Sequence, residues 1–102
     1  MPTFDEALTY LGLDYVDDVI INNVERALAT AARTLRGAVG SDVEQLLPGD
    51  ERVKELVLIY TDDLYSNRGV SAKVSAATRH MVQTMELQLK MELRKKREEA
   101  VI

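Results

Sequence analysis

Cysteine is missing from the 102-residue sequence, so disulfides and thiol chemistry are excluded and a reducing compartment is allowed. No apolar run is long enough to span a bilayer, and no membrane partner is expected. The opening Met1-Pro2-Thr3-Phe4-Asp5-Glu6 lacks the basic and apolar regions of a signal peptide, so no export signal is expected. Histidine occurs once, as His80, and its helical neighbours Ala76, Ala77, Gln83 and Thr84 offer no ligand set. Gly37-Ala38-Val39-Gly40 lacks the Gly-Lys-Ser/Thr ending of a phosphate loop and follows a helical pattern where a phosphate loop follows a strand. Serines lack a histidine–carboxylate context. The acidic pairs Asp17-Asp18 and Asp62-Asp63 consist of adjacent residues, which point about 100° apart on a helix and cannot converge as a dyad. These absences leave no enzyme case, and no metal or cofactor is expected.

What is present suits a single globular domain: 46% hydrophobic and 29% charged residues. The net charge of −4 is unevenly placed, with thirteen acids and six bases in residues 1–70 against four acids and seven bases in residues 71–102. An acidic body does not favour wrapping nucleic acid; only the tail could.

Helical periodicity dominates. Thr3-Phe4-Asp5-Glu6 has capping-box form and predicts a short helix over 3–11, with Phe4, Ala7, Leu8 and Leu11 inward and Gly12 at its end. Asp17 caps a helix over 17–36, whose stripe is Ile20, Val24, Ala27, Leu28, Ala31 and Leu35, widened by Ala29 and Ala32. Gly37 and Gly40 close it. Ser41-Asp42-Val43-Glu44 repeats the capping-box form, so one helical turn is expected over Asp42–Leu47. The central helix is expected over 50–68, after Pro48-Gly49, with Val53, Leu56, Val57, Tyr60 and Leu64 on one face. Leu58 and Ile59 lie off that stripe, so this helix wants neighbours on two sides, one of them another subunit.

The last segment carries two signals. Met85-Glu86-Leu87-Gln88-Leu89-Lys90-Met91-Glu92-Leu93 alternates as a strand does. Its residue types are nevertheless strong helix formers without a β-branched member, and Val74, Ala77, Thr78, Met81, Val82, Met85 and Leu89 form a helical stripe leading in. One long helix over 74–97, with a tail over 98–102, is the reading adopted. It exceeds what a core this small requires, so part of it should meet a partner. Arg94-Lys95-Lys96-Arg97 is either a solvated helix end or a contact for an acidic surface or passing nucleic acid; no aromatic residue interleaves with it for base stacking. Met81, Met85 and Met91 suit irregular packing within the core or between subunits. The fold class expected is all-α: a bundle of about four helices.

Three blocks together resemble the small head–tail connector, or adaptor, proteins of tailed bacteriophages. The first is Phe4-Asp5-Glu6-Ala7-Leu8-Thr9-Tyr10-Leu11-Gly12-Leu13-Asp14. The second is Val53-Lys54-Glu55-Leu56-Val57-Leu58-Ile59-Tyr60 with Leu64-Tyr65-Ser66-Asn67-Arg68-Gly69, similar to the family's apolar helix with its Tyr-x-Asn-Arg-like ending. The third is Val74-Ser75 leading to Met85-Glu86-Leu87-Gln88-Leu89-Lys90, with Lys90 where arginine is usual. The order and spacing extend over about four-fifths of the chain. The resemblance implies a non-catalytic subunit of a twelve-fold ring below the portal, at the head–tail interface of the virion and in the host cytoplasm during assembly. Such a ring extends the DNA channel without sequence-specific binding and gives a stopper or tail protein its docking surface. Tyr60, Tyr65, Asn67, Arg68, Met81, Met85, Leu89 and Arg94–Arg97 are the residues expected at subunit or partner interfaces. Tyr65, Asn67 and Arg68 are expected to fix the end of the central helix, either locally or against a neighbour. The alternative is a small helical regulatory or DNA-binding protein, antitoxin-like, with a basic tail. The acidity of residues 1–70 and the lack of a recognition helix with an exposed basic face weigh against it.

Overall fold

A computed structural model describes residues 1–66 and 76–100, with the side chains of residues 76–78 and 100 left aside. Among the described residues the chain is all-α: α1 Phe4–Leu11, α2 Asp18–Val39, α3 Val43–Leu46, α4 Glu51–Ser66 and α5 Ala76–Ala100.

Local chemistry explains most boundaries. The Thr3 hydroxyl accepts from the Glu6 N–H at 3.1 Å while the Glu6 carboxylate accepts from the Thr3 N–H at 3.1 Å, the reciprocal cap that the first residues predict. Gly12, left-handed at φ 71°, ends α1. Asp17 caps α2 by accepting from the Ile20 N–H at 2.8 Å. Helix α2 then continues three residues past the expected Arg36, because Gly37 is tolerated inside it and Gly40 supplies the stop. Gly40 holds φ 151°, and a Cβ there would meet the Arg97 guanidinium and sit 3.3 Å from Leu93, so α5 crosses the end of α2 at a glycine. Helix α5 reaches Ala100, so residues 98–100 are helical where a tail is expected. The capping box expected at Ser41 does not form: Asp42 occupies the cap position of α3 without a side-chain cap bond. Its carboxylate is taken by Arg97 and that of Glu44 by Arg36, and such charge-assisted bonds are stronger than those to neutral amides.

Packing divides into two apolar clusters. The larger joins Ala31, Leu35 and Val39 of α2, Val43 of α3, Val53, Leu56 and Val57 of α4, and Leu89 and Leu93 of α5. The smaller joins Ala7, Val24 and Leu58, with Phe4, Leu8, Leu11, Ile20 and Tyr65 packed around them. Leu28 touches both. The start of α2 thus lies beside the later part of α4 and its end beside Val53, so the two helices run antiparallel. Helix α4 is sandwiched: Val53, Leu56 and Val57 face one cluster and Leu58 the other. The second neighbour that its girth demands is α1 of the same chain. Thr61 continues the buried row where Leu64 is expected, its hydroxyl donating to the Val57 carbonyl at 2.6 Å, while Leu64 is exposed. Ala29, expected to widen the α2 stripe, is exposed. The radius of gyration, 14.7 Å, exceeds the about 13 Å of a sphere-like domain of this length, and the extents of 50 × 28 × 18 Å show an elongated body.

Candidate docking face on the last helix

Helix α5 turns alternation into two faces. At about 100° per residue, positions 85, 89 and 93 fall within one sector, whereas 87 and 91 fall nearly opposite. Leu89 and Leu93 are fully buried and Met85 is half-buried on the larger cluster. Leu87 and Met91 are 58% and 64% exposed. The strand-like pattern therefore encodes a helix with an inner and an outer apolar stripe. The outer stripe opens on a shallow depression lined by Val39, Leu87, Lys90, Met91, Arg94 and Arg97.

Charged contacts fix how α5 lies. Arg52 forks onto Glu92, Nη1 donating to Oε1 at 2.7 Å and Nη2 to Oε2 at 2.6 Å, and also donates from Nε to Asp50 at 3.1 Å. Asp50 in turn accepts from the Arg52 N–H at 2.8 Å, capping α4. The bonds from Arg52 hold both carboxyls below their ordinary range, and the two carboxylates push the guanidinium further up. At the other end of the contact, the Tyr60 hydroxyl donates to the Glu86 carboxylate. Burial pushes the Glu86 carboxyl up, opposed by nearby Lys90. Arg97 reaches the cap of α3, Nε donating to Asp42 at 2.7 Å. The pairs 52–92 and 60–86 show that α5 runs antiparallel to α4.

The residues expected at interfaces fall in different places. Leu89 belongs to the core of its own chain, and Met85 and Tyr60 pack against it. Tyr65 is half-buried against the smaller cluster. Met81 sits at the margin of the inner stripe, 45% exposed. Arg94 is exposed and lies 3.6 Å from Glu98 one turn on; Lys95 and Lys96 are exposed. Arg97 is engaged within the chain. Asn67 and Arg68 lie outside the described residues, as does Val74. His80 is exposed. Leu87 is the residue that periodicity overlooked, and Met91, expected to pack within the core or between subunits, lies outside the core of its own chain: the alternation itself marks two stripes once the segment is helical.

Among the described residues no group of three or more histidine or acidic side chains is placed to hold a metal ion, and no helix is long and apolar enough to cross a membrane. No family model, curated protein or solved structure matches the chain.

Proposed function

We propose that the chain is a subunit of a head–tail connector ring of a tailed bacteriophage. In this role it docks on the portal, extends the DNA channel during packaging and ejection, and presents the attachment surface for a stopper or tail protein. The observation that carries the reading is the outer stripe of α5: Leu87 and Met91 remain exposed on a subunit whose inner stripe is already covered. Large apolar side chains left exposed together on one helix support an interaction face there. The three sequence blocks supply the kind of partner. The acidic balance of residues 1–70 fits a channel lining that lets DNA pass, since like charge discourages retention. The role is structural and involves no catalytic step.

The test is to mix the purified chain with the portal protein encoded in the same genome and measure the mass of the complex. Co-migration with several copies bound per portal is expected. Failure to bind, together with tight and steeply salt-dependent binding to duplex DNA, would favour the antitoxin-like alternative.

A further inference from the structure

The outer stripe of α5 is bordered by cations. Lys90 and Arg94 are exposed beside Leu87 and Met91; Arg94 lies 3.6 Å from the exposed Glu98, and Lys90 lies near Glu86, which is engaged by Tyr60. A second exposed apolar patch has the opposite sign. At the corner between α1 and α2, Tyr15 is 73% and Val19 66% exposed, and Asp14, Asp17 and Asp18 around them are exposed as well. The corner lies where α2 starts, beside the smaller cluster, whereas Leu87–Arg94 lies beside the end of α2, on the larger one. The two patches therefore sit toward opposite ends of the subunit.

We infer that the α1–α2 corner of one copy docks on the outer face of α5 of the next, with Tyr15 and Val19 against Leu87 and Met91 and with Asp14 and Asp18 facing Lys90 and Arg94. This deepens the ring reading above and rests on it. Neither patch suits itself: two α5 faces would oppose cations, and two corners would oppose acids. Unlike patches make a heterologous contact, which leaves one free patch of each kind on every growing assembly and continues until rotation closes it. Exposed ion pairs add little energy, so apolar burial drives the contact and the charges set its polarity. One such contact is small; closure gives each subunit two and so favours the closed assembly over the pair.

The experiment is a charge exchange read by the mass of the chain in solution, with circular dichroism confirming helix content. The wild-type chain at high concentration is expected to form multiples of the subunit. Lys90→Glu with Arg94→Glu, and separately Asp14→Lys with Asp18→Lys, should each give subunits alone. All four substitutions in one chain should restore the large species. Because Asp18→Lys burdens the start of α2, Tyr15→Ser with Val19→Ser provides a second variant that should also lose assembly. The native chain has no thiol, so a mixture of Asp14→Cys and Lys90→Cys chains should oxidise to mixed dimers, and neither variant alone should. A wild-type chain that stays single, a four-fold variant that stays single while folded, or cross-links within one cysteine variant would overturn the inference. Portal binding that persists in those cases leaves the connector reading standing, and portal binding lost only in the α5 variant would assign that face to the portal.

Discussion

Glu86 and Glu92 are carboxylates less than two turns apart on one helix, and the fold treats them oppositely. Burial raises the pKa of Glu86, so the folded state holds its proton more tightly than the unfolded chain. Its contribution is therefore fully present below the ordinary carboxylate value and is lost as pH rises through the folded value. Glu86→Gln keeps an acceptor for Tyr60 and removes the titration; its stability relative to the native chain should rise as pH climbs above the ordinary carboxylate range, measured by urea unfolding. Arg52 acts in the other direction. Its bonds depress Asp50 and Glu92, whose contributions exist above their unfolded values and are lost as pH falls through the folded ones. Arg52→Met should lower the melting temperature at neutral pH by roughly 5 °C, the site being open to solvent, and the deficit should close as pH falls below the ordinary carboxylate range. Neither effect was legible in the sequence. Arg52 and Glu92 are far apart along the chain, and periodicity says which face a residue occupies without naming the side chain across from it. The Tyr60–Glu86 bond was hidden for the same reason.

At the scale of an element, helix caps were among the most legible features. Thr3 and Asp17 behave as their neighbours in sequence predict, whereas Asp42 yields to Arg97, a residue from the far end of the chain. The length of α2 was misjudged at Gly37 because a helix supported along one face by Leu35 and Val39 tolerates an interior glycine. The alternating run of α5 gives the sharpest contrast. Leu89→Ala should destabilise the subunit by about 2–5 kcal/mol, since the leucine is fully buried and its removal leaves a cavity. Leu87→Ala, two residues away on the outer stripe, should change subunit stability by less than about 0.5 kcal/mol. Chemical denaturation of the two variants in parallel checks the two-faced reading directly, and comparable losses would refute it.

For the whole molecule, the all-α class was evident from helical periodicity and strong helix formers, and the wide girth of α4 correctly called for neighbours on two sides. What the sequence could not say is that α1, α2 and α5 of the same chain would supply them. Helix α4 thus finds its neighbours on two sides within the chain, and large apolar side chains are left more exposed on α5, at Leu87 and Met91. The candidate site was half legible: the last helix was identified as the surplus element, but its inward residue Leu89 was grouped with its surface. Residues 94–102 follow Leu93, the last fully buried side chain among the described residues, and include Arg97, which ties α5 to the cap of α3. Deleting them should leave a cooperative helical subunit with a lower melting temperature and weakened docking on a portal. Circular dichroism on heating and a portal-binding assay measure the two losses separately.

The two stripes of α5 answer to different masters. Substitutions at 85, 89 and 93 are judged by the volume they must fill inside one molecule, so drift there should conserve size. Under the docking proposed above, positions 87, 90, 91 and 94 would be judged by what lies across from them, so a change of sign in one lineage should be matched by the opposite change in its counterpart. One ten-residue segment would then record two histories, one on each face.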